Sequence, residues 1–184
     1  MSEYCVTLAD VRTARHRFAR WVHQTPVMTC ATLDALAGTK LFFKCENLQK
    51  IGAFKIRGAT NAILQLGDNV KGVVTHSSGN HAQAVALAAQ HRHLPATIVM
   101  PYTAPAPKRA AVEGYGATII SCEPNAEARE AKADQAVRET GGVLIPPFDH
   151  PHVIAGQGTT ALEFLEQVAE LDAIIAPVGG GGLI

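Results

Sequence analysis

Three stretches of the 184-residue chain carry side chains, or bare backbone, suited to chemistry. The first is Gly52-Ala53-Phe54-Lys55-Ile56-Arg57-Gly58, just after Lys44-Cys45-Glu46-Asn47-Leu48-Gln49. Residues 56–66 read as a helix closed by Gly67, which puts Lys55 at the helix mouth. The helix dipole is already positive there, so the amine is better placed neutral than charged, and Arg57 pushes the same way. A neutral amine attacks a carbonyl carbon and forms a Schiff base. An ordinary surface lysine is the simpler local reading, and both stay open at this level.

The second stretch is Thr75-His76-Ser77-Ser78-Gly79-Asn80-His81-Ala82-Gln83. It lies where a strand turns into a helix, and backbone N–H groups are unsatisfied there. The chain has four serines, and two of them stand here side by side. Amides and hydroxyls so placed would hold a carboxylate. Helix capping explains one serine or the asparagine, not the whole run. The serines do not sit in G-x-S-x-G, which disfavours a Ser-His-Asp hydrolase. The third stretch is Gly179-Gly180-Gly181-Gly182, after the apolar run Ala173–Val178. Four residues without side chains let amides converge on an anion such as phosphate. A flexible turn is the alternative. No Gly-Lys-Ser/Thr follows, so this is not a Walker A loop, and G-x-G-x-x-G is not completed.

These stretches need elements to hold them, and the chain alternates strand and helix. Thr7 and Asp10 form a capping box for a helix reaching about Trp21. Strands are expected over 40–44, 72–75, 96–100, 117–121, 143–145 and 173–178. Helices are expected over 56–66, 79–90, 106–113, from the Asn125 cap to Glu139, and within 153–169. Apolar strands bounded by turn residues and alternating with helices predict an α/β fold with a parallel sheet covered on both faces. An apolar strand entering a glycine turn normally opens a helix, and none follows Gly182. That predicts a truncated chain, against the alternative of a frayed natural end.

Composition sets outer bounds. Hydrophobic residues make up 47% and charged residues 17%, which rules out wholesale disorder. Sixteen basic and sixteen acidic residues cancel, leaving no overall charge to recruit nucleic acid or an anionic membrane. No apolar run approaches the ~18 residues of a membrane span. The four scattered cysteines show no Cys-x-x-Cys and suit free thiols in a reducing cytoplasm. The pairs His91/His93 and His150/His152 read as surface histidines rather than metal ligands, and Trp21 as core.

The string Lys44–Lys50 followed by Gly52–Ala59 resembles the cofactor-lysine segment of the fold-type II pyridoxal-phosphate enzymes. Within these it is similar to the serine racemase and serine/threonine dehydratase branch. His76–His81, Gly156-Gln157-Gly158-Thr159 and Gly179–Gly182 match that branch too, and the similarity runs over essentially the whole chain. It implies a three-layer, tryptophan-synthase-β-like fold. Residues 1–70 would be the first part of a large domain and 71–149 a small domain. Residues 150–184 would resume the large domain and break off at the phosphate loop.

The roles below are what this resemblance implies. Lys55 would hold pyridoxal 5'-phosphate as a Schiff base and then take the substrate Cα proton. Gly179, Gly180, Gly181, Gly182 and Leu183 would bind the phosphate, Asn80 the ring hydroxyl oxygen, and Phe54 would pack beside the cofactor. Ser77, Ser78, Asn80 and His81 would hold the substrate. Ser78 would serve as acid/base on the face opposite Lys55, which racemisation needs and β-elimination does not. The expected activity is serine racemisation and L-serine/L-threonine dehydration, with hydroxyaspartate dehydration or an inactive cofactor-binding fragment as alternatives. The resemblance further implies a small hydroxy amino acid as substrate, a homodimer at full length, and a divalent cation (Mg or Ca) whose ligands lie outside this chain. Lys50, Gln83 and Tyr115 match positions near a nucleotide effector site of some members. Cysteine-synthase-type replacement is disfavoured by the His-Ser-Ser-Gly-Asn-His loop, and a nicotinamide dehydrogenase by the missing fingerprint.

Overall fold

The computed structural model describes residues 4–184. Helix α1 (Leu8–Phe18) begins as the sequence predicts: Thr7 Oγ1 accepts from the Asp10 amide at 3.3 Å, and Asp10 Oδ2 accepts from the Thr7 amide at 2.8 Å. It ends at Phe18, and a 3₁₀ turn over Ala19–Trp21 finishes the stretch expected to be helical. A small antiparallel ribbon follows, with β1 (Val27–Met28) against β2 (Phe43–Lys44) and helix α2 (Ala31–Ala37) between them. The expected strand over 40–44 keeps only its last two residues.

Helix α3 (Lys55–Leu64) then leads to the sheet. Strands β3 (Val73–His76), β4 (Ala96–Pro101), β5 (Thr118–Cys122) and β6 (Val143–Leu144) are linked by α4 (Asn80–His91), α5 (Ala106–Gly114) and α6 (Ala126–Thr140). The strand order is β5-β4-β3-β6, and every pairing is parallel, as the apolar strand pattern predicts. Alternation sorts the side chains between two faces. Val73, Ile98 and Met100 face α3, α4 and α5, whereas Val74 and Val99 meet Ala133 and Ala136 of α6. Helix, sheet and helix make the three layers. Asn125 caps α6 by accepting from the Ala128 amide at 2.7 Å.

The last helix, α7 (Pro151–Gln167), lies against α3 and α1. The two glycine-bearing helices approach closely: a Cβ on Gly156 would stand 2.6 Å from the Arg57 carbonyl oxygen and 2.6 Å from Gly58 Cα. The expected strand over 173–178 does not form. Ile175 is 94% exposed, and no strand among the described residues offers it a ladder. Apolar alternation alone does not make a strand without a neighbour to accept its hydrogen bonds. Trp21 is half-buried rather than core, stacked on His91 with ring centroids 4.6 Å apart.

Candidate active site

Lys55 is the first residue of α3, and a strained turn delivers it there. Ile51 adopts φ 58°, a left-handed conformation that a β-branched residue rarely takes, and Gly52 follows at φ 69°. Such a residue costs about 1–3 kcal/mol and persists only where its surroundings dictate it. The buried Gln49 does so. Its Oε1 accepts from the amides of His23 (2.8 Å) and Lys50 (2.9 Å), and its Nε2 donates to the His23 carbonyl at 2.7 Å.

Behind the turn lies a buried charge cluster. Arg57 is 1% exposed and spans two carboxylates. It donates to Glu46 at 2.8 and 2.7 Å and to Glu163 at 3.1 and 3.1 Å. Lys44 donates to Glu163 as well. Two cations and two anions cancel, and together they tie the segment after β2, helix α3 and helix α7 into one unit. Burial alone would push the Glu163 carboxyl up, but its hydrogen bonds from Arg57 and Lys44 win and hold it below the ordinary range.

The amine of Lys55 is half-buried, donates to the Pro147 carbonyl, and lies 5.3 Å from the Phe54 ring centroid. Burial lowers its pKa. The polar stretch at the end of β3 reaches the same 145–148 segment through Thr75 and His81, which donate to the Ile145 carbonyl. Ser77 Oγ accepts from the Gly79 amide at 3.2 Å, Ser77 and Ser78 are half-buried, and Asn80 is exposed at the start of α4. The helix has neither a side-chain cap nor an acidic residue in its first turn. Its leading amides are thus available to an anion.

His81 is 3% exposed. Its Nε2 donates to the Ile145 carbonyl at 3.0 Å, and its buried Nδ1 has no partner among the described residues. Burial, outweighing that hydrogen bond, lowers its pKa to about 4, with the charge on Lys55 adding to the effect. The ring is therefore neutral, with a bare acceptor at Nδ1. A carboxylate could take a hydrogen bond from the His81 backbone amide but not from this ring nitrogen.

The tetraglycine loop closes the arrangement. Gly182 is buried, and Gly181 has φ 83°, which favours glycine. A Cβ on Gly180 would sit 2.2 Å from Phe148 Cδ1, so the bare backbone lies directly on that ring. Phe54 and Leu183 meet across a separate, mostly apolar cavity of about 370 Å³, which Asn47, Thr160 and Phe164 also line. The segment Ile145–Phe148, to which the sequence reading assigned no role, contacts all three chemical stretches. Its Ile145 carbonyl takes His81 and, at 2.7 Å, Thr75; its Pro147 carbonyl takes Lys55; its Phe148 ring meets the glycines. The Pro146-Pro147 pair, with both φ values fixed and no N–H, was the one local signal of a stiff spacer.

A half-buried amine of lowered pKa, an uncapped helix start and a run of glycines whose backbone lies bare against Phe148 suit an aldehyde-bearing, phosphorylated cofactor. The family model for pyridoxal-phosphate dependent enzymes matches residues 19–184. The chain belongs to the pyridoxal-phosphate dependent enzymes. It is 52% identical over 181 residues to a serine racemase of Dictyostelium discoideum, covering 97% of this chain and 56% of that relative. It is 53% identical over 180 residues to an L-threo-3-hydroxyaspartate ammonia-lyase of Saccharomyces cerevisiae, covering 97% and 55%. The structure of maize serine racemase superposes with a TM-score of 0.96 at 54% identity, over 98% of this chain and 55% of that one. The chain thus spans about half the length of the relatives it matches. No helix among the described residues is long and apolar enough to cross a membrane, and none of their His, Cys, Asp and Glu side chains gather in threes able to hold a metal.

Proposed function

We propose that this pyridoxal-phosphate dependent enzyme acts as a serine racemase and L-serine/L-threonine dehydratase. The observation that carries the proposal is the Lys55 amine, partly desolvated and held on the Pro147 carbonyl, two residues beyond the Ile145 carbonyl that takes Thr75 and His81. Lys55 would hold the cofactor covalently, the amides of Gly179–Gly182 and Leu183 would hold its phosphate, Asn80 its ring hydroxyl oxygen, and Phe54 would pack beside it. When bound, the cofactor supplies an electron sink for the pair left on the substrate Cα. The substrate carboxylate sits at the start of α4, on the Ser77 hydroxyl and the leading amides from Asn80 and His81. Lys55 Nζ, freed when the substrate amine takes its place, would take the Cα proton. Ser78 Oγ delivers a proton to the opposite face for racemisation. In the dehydratase branch the β-hydroxyl would leave as water, and the enamine released would tautomerise to an imine that takes up one water to give a 2-oxo acid and ammonia.

Hydroxyaspartate dehydration is the second reading, and one contact favours it. Lys108 Nζ lies 3.4 Å from a Cβ built on Gly79, a cation at the mouth of α4 suited to a second carboxylate. The proposal includes the small domain over 71–149 between large-domain parts over 1–70 and 150–184. It also includes a cytoplasmic homodimer, and a divalent cation with ligands outside these residues. Mixing the chain with pyridoxal 5'-phosphate tests the core of it. A visible absorption band that borohydride fixes onto Lys55, and that Lys55→Ala abolishes, is the expected result. A band of equal strength in Lys55→Ala would refute the role.

A further inference from the structure

The proposed function leaves unexplained what gives the tetraglycine loop its shape. The loop makes no strand or helix of its own, and a Cβ on Gly179 or Gly181 would meet nothing within 4 Å. Gly180 and Gly182 differ. A Cβ on Gly180 would lie 2.2, 2.5 and 2.6 Å from three atoms of the Phe148 ring, and one on Gly182 would lie 3.0 Å from Phe148 Cβ. The demand for glycine at 180 therefore comes from the Phe148 ring, and Gly182 lies against Cβ and the backbone of the same residue.

That side chain is itself braced. Before Phe148 stand Pro146 and Pro147, whose rings fix the backbone. After it, Asp149 turns the chain at φ 51°, a conformation aspartate tolerates, and His150 opens α7, its Nδ1 accepting from the His152 amide at 3.2 Å. The ring is still 42% exposed, so core burial does not explain its position. One residue earlier, the Pro147 carbonyl holds the Lys55 amine. We infer that Phe148 is a positioning residue, a platform that seats Gly180 and Gly182 and sets the phosphate loop at a fixed height from Lys55. Its cofactor arm rests on the function proposed above.

The test is a double-mutant cycle read as cofactor affinity, by titrating the visible band with pyridoxal 5'-phosphate. Gly180→Ala should weaken binding by about tenfold or more in the otherwise native chain, because the methyl cannot enter the ring's space. In the Phe148→Ala background the same change should cost less than about threefold, since the ring has gone. An equal cost in both backgrounds would overturn the platform. Should Phe148→Ala fail to fold, the cofactor-free arm below decides. A cofactor-free arm separates this inference from the function: proton NMR of the unliganded chain. The Gly180 α-protons should be displaced by the ring current of Phe148 and return to ordinary glycine positions in Phe148→Leu. Glycine signals unmoved by that change would overturn the platform even where cofactor binds. If the native chain binds no cofactor, the proposed function fails, and the ring-current shift alone upholds or overturns the platform.

Discussion

Replacing Arg57 by methionine should destabilise the chain by about 3–5 kcal/mol at pH 7, the usual cost of stranding a buried partner. Four hydrogen bonds to two carboxylates disappear, and the cluster moves from zero net charge to one uncompensated negative charge. Lys44 remains on Glu163, so the carboxylate of Glu46 loses most, keeping only the Thr25 hydroxyl at 2.7 Å. The loss is a large share of the roughly 5–15 kcal/mol that holds a domain together. Urea unfolding followed by far-ultraviolet circular dichroism measures it. The pH dependence gives a second signature. In the native chain Glu163 titrates below its ordinary value, so its contribution is present above about 4.5 and is lost as pH falls through the lower folded-state pKa. In Arg57→Met the burial of Glu163 loses its main counterweight, so this carboxylate takes up its proton at higher pH than in the native chain and the gap between variant and native should narrow on acidification. A loss under about 1 kcal/mol at pH 7, or a gap that widens on acidification, would show that the cluster does not hold these segments together.

The remaining predictions touch other parts of the site. His81 has a folded pKa of about 4 against an ordinary 6.5, so the unfolded chain binds the extra proton between those values. Stability should be complete above pH 6.5 and fall by about 3 kcal/mol in total as pH drops to 4, and His81→Leu should flatten that part of the urea-midpoint profile. Ser78→Ala should abolish conversion of L-serine to D-serine while leaving pyruvate formation measurable; chiral chromatography showing undiminished D-serine would remove Ser78 from the mechanism. Gly156→Ala should cost about 1–3 kcal/mol or more, because its methyl meets the backbone of Arg57 and Gly58, whereas Gly67→Ala, with nothing within 4 Å, should stay within about 0.5 kcal/mol of native in the same unfolding assay.

The sheet and its helices were legible because their signals are local. Apolar runs such as Ala96–Met100 and caps such as Thr7 and Asn125 carry their own instructions. Lys55 was legible as unusual from its place before a helix, but its meaning came from resemblance and not from local chemistry. The run over 173–178 misled because a strand is a property of two segments, and only one of them shows in a local pattern. The Arg57 cluster was invisible for a related reason: Glu46 and Glu163 are 117 positions apart in sequence, and nothing in either neighbourhood marks a partner. Ile145–Phe148 escaped because it acts mostly through backbone carbonyls, which residue types do not reveal. The direction of His81 was also beyond reach, since the Ile145 carbonyl decides which ring nitrogen carries the proton.

The role proposed for Lys55 would account for a charge cluster standing so close to it. A lysine beside a free carboxylate is held in its charged form and is no nucleophile. The segment that carries Lys55 also carries Glu46, and the facing helix carries Glu163. Lys55 and Arg57 are two residues apart, about 200° around α3, so they project to opposite sides of the helix. On one side Arg57 and Lys44 take up both carboxylates. On the other, the partners of Lys55 among the described residues are a backbone carbonyl and the Phe54 ring, and burial lowers its pKa. The helix separates an electrically closed anchor from an amine left free to lose its proton. The strained turn at Ile51 sits where these two demands join. It lies between Glu46 of the cluster and Lys55, nine positions apart, and the three hydrogen bonds of Gln49 hold it in place.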